Sequence, residues 1–193
     1  MNILEDIHFL LHITRTRAIA RRYFVVNGFD GALTMLGLAM GFYVSDNVDL
    51  GVAVSACFGA AVALGMSGLS SAYISESAER EKALRDLEEA MITDLKESAH
   101  GRAARLVPLL IALVNGAAPM LISLVIISPL WLAYLGMDLP VGPIEAAIAL
   151  AFLAIFLLGS FLGQVTGRMW AASGLRALLV GLATALIIFW IGN

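Results

Sequence analysis

The chain has 193 residues, of which 60% are hydrophobic and only 14% are charged, and its formal net charge is −3. A soluble domain would be about 45–50% apolar and about 25% charged, so this composition excludes an ordinary soluble globular protein. It predicts an all-α integral membrane protein, and the single cysteine excludes an intrachain disulfide.

Residues 1–22 predict an amphipathic surface helix rather than a secretory signal peptide, because they carry acidic residues and no small-residue cleavage site. Arginines follow an apolar stripe that consists of Ile3, Ile7, Leu10 and Leu11. His8 and His12 are one helical turn apart, with Glu5 on the same face. This spacing suits metal chelation, and an interfacial helix explains it equally well.

Five apolar segments predict five transmembrane helices, since each is close to the roughly 20 residues that cross a bilayer. They are residues 23–44, 50–74, 106–132, 144–165 and 174–191. The chain therefore divides into the N-terminal helix (1–22), helices one and two (23–74), an acidic helical segment (75–105) and helices three to five (106–193). We expect segment 75–105 to continue the second span and to return as a short second helix.

The basic residues predict the orientation. All twelve Lys and Arg residues fall on one side of this topology, whereas the other side holds Asp46, Asp49, Asp138 and Glu145. The positive-inside rule then places the N-terminus and segment 75–105 in the cytoplasm and the C-terminus on the opposite side. The odd number of spans leaves no equal halves within one chain, so we expect any pseudo-symmetry to come from a second subunit.

Asp30 lies inside the first apolar segment, where a carboxylate is costly unless it is paired, solvated or protonated. At helical spacing it shares a face with Asn27 and Thr34, and Gly37 and Gly41 follow. Carboxylate and amide oxygens suit hard or borderline divalent cations. The pattern indicates a path for a cation or a proton. The alternatives are a structural carboxylate bonded to another helix and the N-terminal cap of a broken helix.

Two further membrane residues are candidates. Met66, in the second segment, has a thioether that favours softer or borderline transition metals, although a lone membrane methionine usually packs. Asn115 stands beside Gly116 and near Pro119 in the third segment. Broken helices at membrane depth often line sites, and a packing or hydrogen-bonding role for Asn115 stays equally open.

Segment 75–105 carries eight acids and six bases, which gives it a net charge of −2. Its acids recur at i,i+3 spacing as Glu76 and Glu79, Asp86 and Glu89, and Asp94 and Glu97, with Glu88 beside Glu89. Carboxylates spaced in this way share a helix face, as they do in the carboxylate metal sites of helical proteins. On spacing alone, a solvated helix with salt bridges such as Glu81–Arg85 is favoured.

Sequence motifs of enzymes are absent. The chain has no phosphate-binding loop, no His-Glu-x-x-His motif and no convincing nucleophile–base pair. We therefore expect neither an enzyme nor a prosthetic group, and nothing indicates nucleic-acid binding.

These features together resemble the vacuolar iron transporter family, from about Arg22 to the C-terminus. The first span resembles that family's Asn-Asp-Gly-Leu-x-Thr motif. The segments that carry the likeness are Phe29-Asp30-Gly31-Ala32-Leu33-Thr34, Tyr73-Ile74-Ser75, Gly116-Ala117-Ala118-Pro119 and Ser173-Gly174-Leu175-Arg176. In this chain Phe29 replaces the family's usual Asn. Gly68 and Ala72 stand at its methionine and glutamate positions, and Met66 lies two residues from the first of these.

The resemblance implies a homodimer of five-span subunits in membrane lipid. It implies export of Fe²⁺, and of Mn²⁺ or related ions such as Co²⁺ and Zn²⁺, from the cytoplasm in exchange for protons. It further implies a path at the dimer interface lined by Asp30 and a second-span methionine. A cytoplasmic helical segment would gather metal through its glutamates, here Glu76 and Glu79 together with Glu88 or Glu89.

The expected function is therefore a proton-coupled transporter of divalent metals, in which Asp30 binds metal when ionised and a proton when the metal leaves. One rival is a cation channel, or a transporter for another ion, with Asp30 as a selectivity charge. The other rival is a membrane scaffold without transport, in which Asp30 holds helices together.

Overall fold

In a computed structural model of the protein, which describes residues 16–45 and 48–192, the chain forms five α-helices. They are α1 (Thr16–Val44), α2 (Leu50–Met91), α3 (Ala99–Tyr134), α4 (Pro143–Val165) and α5 (Trp170–Gly192). Each is long and apolar enough to cross a membrane, which confirms the prediction of an all-helical, multi-span membrane protein. Most of the predicted N-terminal helix, with His8 and His12, lies outside the described residues, as does Asp46 of the acidic turn.

Local signals mark where the helices begin and end. Asp49 caps α2, because its Oδ1 accepts a hydrogen bond of 3.0 Å from the backbone N–H of Val52. Pro143 begins α4 at a position where its missing N–H costs no helical hydrogen bond. After α3 and α4 the chain turns at Gly136 and Gly167, whose φ angles of 84° and 70° favour glycine because it has no Cβ.

The helices α2 and α3 extend well beyond the spans predicted for them. With 42 residues, α2 is about 63 Å long at 1.5 Å per residue, whereas the hydrocarbon core of a bilayer is about 30 Å thick. Segment 75–105 is therefore formed by the end of α2, a turn at residues 92–98 and the start of α3. We call it the polar hairpin. The boundaries predicted at 74 and 105 fall inside helices, because helix-forming residues continue after the apolar residues stop.

The helix α1 lies at the centre of the bundle and contacts each of the other four helices, whereas α2 packs chiefly on α3. The core is built from large, fully buried side chains of α1, α3 and α4, among them Met35, Leu36, Ile126, Ile127 and Ile155. Glycine allows the closest approach: a Cβ on Gly31 of α1 would lie 2.6 Å from the backbone oxygen of Pro119 on α3.

The two ends of the bundle differ in charge. One end holds the start of α1, the polar hairpin and the connection at residues 166–169, and it carries all the Lys and Arg side chains that the structure describes. We call it the basic end. The other end holds Asp49, Asp138 and Glu145. The direction in which the bundle sits in a membrane stays a prediction from this asymmetry.

Candidate functional site

Asp30 is exposed on the side of α1, midway along its span. It lies ten residues after Ala20, where the apolar span begins, so it is about 15 Å into that span. Among the residues that the structure describes, none forms a hydrogen bond or an ion pair with its carboxylate. The structural alternative, a carboxylate bonded to another helix of the same chain, therefore has no support within the described residues.

Small and polar residues surround Asp30 on the same face of α1. Thr34 is half-buried one turn away. A Cβ added to Gly41 would meet no atom within 4 Å, and one added to Gly37 would meet only Ile188 Cδ1, at 3.6 Å. We call Asp30, Thr34, Gly37 and Gly41 the Asp30 face. This surface leaves room for another helix to pack closely against it, and it carries one carboxylate.

Asn27 and Asn115, both predicted to line a path, are brought together where α1 meets α3. The Asn115 side chain is buried between α2 and α3, and its Nδ2 donates a hydrogen bond of 2.6 Å to the backbone oxygen of Gly68. Asn27 Nδ2 donates to Asn115 Oδ1 and, at 2.9 Å, to the backbone oxygen of Tyr23. These bonds link α1, α2 and α3 within the membrane, and Asp30 is not part of the chain of bonds.

Glu76, predicted to collect metal, is buried at the start of the polar hairpin with only 6% of its surface exposed. The hydroxyl of Tyr23 on α1 donates to its Oε1 at 3.5 Å, and Arg80 Nε lies 3.7 Å from its Oε2. Glu79 is exposed. The two carboxylates therefore do not form a shared solvent-facing pair. No pattern in the sequence indicates the contact with Tyr23, which is 53 residues away.

The remaining acids of the polar hairpin have different surroundings. Glu88 accepts a hydrogen bond of 2.9 Å from the backbone N–H of Leu95 and so closes the turn, whereas Glu89 is exposed. The backbone N–H of Lys96 binds the Asp94 carboxylate and lowers the pKa of this fully exposed group. The predicted bond between Glu81 and Arg85 is present at 2.7 Å.

Met66 is 59% exposed on α2. In the described ranges, no group of three or more His, Cys, Asp or Glu side chains is placed to hold a metal ion. Asp30 is therefore not part of such a group within the described residues.

A cavity of about 650 Å³ opens at the basic end between α1, α4 and α5. Its lining combines Arg168 and Arg176 with the apolar side chains of Phe29, Leu33 and Val180. In the sequence both arginines indicate the topology, and Arg176 also belongs to a segment that resembles the iron transporter family, but neither was predicted to bind a ligand. The signal that could have singled out Arg176 is its place inside the fifth apolar segment.

No protein-family model matches the chain. It is similar to the uncharacterized protein MJ0645 of Methanocaldococcus jannaschii, with 27% identity over 173 residues that cover 88% of this chain and 87% of that protein. The similarity therefore runs through nearly all of both chains.

Proposed function

We propose that this protein is a homodimeric transporter of divalent transition metals, with Fe²⁺ as the main substrate, that moves the metal out of the cytoplasm in exchange for protons. The observation that carries the proposal is the exposed Asp30 carboxylate, midway along a membrane-spanning helix and without a partner in the described chain. Intramembrane carboxylates usually mark ion pathways or proton relays, because their burial in lipid is too costly to keep without a function.

A second copy of the chain is the partner that fits the Asp30 face. Gly37 and Gly41 form a Gly-x-x-x-Gly pair whose open side faces away from the subunit. Such pairs let two membrane helices approach closely, and membrane-helix contacts are enriched in small residues. If two α1 helices meet on this face, two Asp30 carboxylates come together across the interface. This arrangement would supply the ligands that one subunit lacks.

The same carboxylates explain the exchange. Two facing carboxylates repel each other when both are ionised, and either a divalent cation or protons relieve this repulsion. Oxygen ligands accept Fe²⁺ and Mn²⁺. Metal and protons then compete for the same oxygens, so release of metal on one side of the membrane is coupled to uptake of protons there.

The polar hairpin would assist by attracting cations. It has a net charge of −2, and Glu79 and Glu89 are exposed. Exposed carboxylates attract cations locally, even within the basic end, and so would raise the concentration of cations at the hairpin. Glu76 and Glu88 contribute less to this field than to structure, since their carboxylates already have partners.

The experiment is Fe²⁺ flux into liposomes that contain the purified protein, with and without a pH gradient. We expect gradient-stimulated flux for the natural chain and flux reduced at least tenfold, close to protein-free liposomes, for Asp30→Asn. Asp138→Asn is the matched control, because it removes the same charge from an exposed connection outside the spans. Size-exclusion profiles would verify that both variants fold.

Three results would contradict the proposal. Equal flux through Asp30→Asn and the natural chain would remove Asp30 from the mechanism. Flux that ignores the pH gradient would favour a cation channel. The absence of flux for Fe²⁺, Mn²⁺, Co²⁺ and Zn²⁺ under every gradient would favour a membrane scaffold.

A further inference from the structure

We propose that the cavity between α1, α4 and α5 is a binding site for an anionic phospholipid. Arg168 and Arg176 would bind the lipid phosphate, and an acyl chain would lie against Phe29, Leu33 and Val180. This inference rests on the cavity itself and does not depend on metal transport.

The depth of Arg176 is the first argument. The helix α5 begins at Trp170, whose ring packs edge-to-face on Phe156, and tryptophan is typical of the membrane–water interface. Arg176 follows six residues later, so its Cα lies about 9 Å further along the helix. A guanidinium group at that level either extends towards the membrane–water interface or pairs with an anion.

The absence of a protein anion is the second argument. No ion pair between described residues involves Arg168 or Arg176. Arg80 and Arg85, by contrast, each have a glutamate on the preceding turn of α2. Two arginines that line one cavity without a carboxylate form a positively charged mouth, which favours binding of an anion from outside the described residues.

The shape and chemistry of the cavity favour a lipid over a small soluble anion. At about 650 Å³ the cavity is much larger than one phosphate group needs, and its walls are apolar below the arginines. Ser173 adds a hydroxyl to the lining beside the arginines. Basic pockets between membrane helices bind the head groups of anionic lipids, and the apolar wall offers a place for the attached chain.

The position of the cavity links it to the Asp30 face. Phe29 precedes Asp30 on α1, and Leu33 lies one turn further on the same helix. A lipid in this cavity therefore contacts α1 on the side next to its unpartnered carboxylate. Its binding would hold α1 against α4 and α5.

Native mass spectrometry of the full-length protein in detergent, with added dioleoylphosphatidylglycerol or dioleoylphosphatidylcholine, tests the proposal. We expect selective retention of phosphatidylglycerol. The Arg168→Gln/Arg176→Gln variant should retain it about 30-fold more weakly, because two arginines at about 1 kcal/mol each contribute about 2 kcal/mol and every 1.4 kcal/mol is a factor of ten. The control Lys82→Gln/Arg85→Gln removes two exposed charges from the polar hairpin and should retain the lipid like the natural chain.

A second variant tests the apolar wall of the cavity and keeps the proposal testable if the arginine variant does not fold. Val180→Trp fills part of the cavity at an exposed position and keeps both arginines, so it should also weaken lipid retention. Equal retention of both lipids by all variants would overturn the proposal. If inorganic phosphate, added in place of lipid, is retained as strongly as phosphatidylglycerol, the ligand is a soluble anion and the lipid proposal is overturned. Loss of dimer in the arginine variant, with lipid retention unchanged, would assign the cavity to a second copy.

Discussion

The side chain of Asn115 on α3 donates a hydrogen bond of 2.6 Å to the backbone oxygen of Gly68 on α2. The contact is possible because Gly68 has no side chain: a Cβ there would lie 2.7 Å from the backbone oxygen of Asn115. Pro119 lies four residues after Asn115 and has no N–H, so it cannot donate the usual helical hydrogen bond to the backbone oxygen of Asn115. A proline, a glycine and an amide thus join two helices at membrane depth.

Asn115→Ala should lower the free energy of unfolding by about 1–3 kcal/mol, because Asn27 and the backbone oxygen of Gly68 each lose a hydrogen bond to the buried Asn115 side chain. Asn115 would then be chiefly a structural residue. The check is unfolding in detergent, followed by the fluorescence of the tryptophans. Thr184→Ala is the control, since its hydroxyl bonds only to Val180 of its own helix. Equal stability of Asn115→Ala and the natural chain would show that the bond contributes nothing.

Gly68→Ala should destabilise the contact between α2 and α3. The added methyl group would meet the rigid Asn115 backbone at 2.7 Å, so the helices must separate, at a cost of about 1–3 kcal/mol. Gly59→Ala on the same helix is the matched control, because its methyl group would meet nothing within 4 Å. That control should be neutral or slightly stabilising, since alanine favours helix over glycine by about 1 kcal/mol. Thermal unfolding midpoints of the two variants give the comparison, and identical midpoints would contradict it.

Glu76 should prove to be a structural residue. Glu76→Ala removes a buried partner of Tyr23 and Arg80, and we expect a loss of about 2 kcal/mol in unfolding free energy. Glu79→Ala, at an exposed position, should stay within about 0.5 kcal/mol of the natural chain. Equilibrium dialysis with Fe²⁺ separates the two roles. A Glu76→Gln variant that folds normally but binds less metal than Glu79→Gln would restore Glu76 as a metal collector.

Gly41→Cys should form a disulfide between two subunits under mild oxidation, because Gly41 faces open space on the Asp30 face. The background is Cys57→Ala, which removes the only native cysteine. Leu157→Cys is exposed on α4 and should cross-link far less. Non-reducing gel electrophoresis of membranes measures the covalent dimer. Equal cross-linking at the two positions would indicate random collision and would leave the Asp30 face without a partner.

The sequence predicted the five spans because their signal is local: each is a long apolar run between polar connections. The site needed information that no local pattern holds. Asn27 and Asn115 each stood out alone, but their contact joins residues 88 positions apart. The burial of Glu76 depends on Tyr23 of another helix. The carboxylate of Asp30 was found because it contradicts its apolar surroundings, and its exposure within one subunit could be learned only from the packing.

The end of α2 could not be predicted from the sequence either. Ile92, a β-branched residue with a φ of 51°, ends the helix where glycine is usual. The left-handed conformation costs such a residue about 1–2 kcal/mol. The side chain is 93% exposed, so it gains little from packing. Ile92→Gly should therefore raise the free energy of unfolding of the polar hairpin by about 0.5–1 kcal/mol, after the greater entropy of unfolded glycine is subtracted. Amide hydrogen exchange across the hairpin measures it. Thr93→Gly is the control, because the neighbouring Thr93 has no positive φ, and glycine there should only accelerate exchange. Faster exchange in Ile92→Gly than in the natural chain would contradict backbone strain at Ile92.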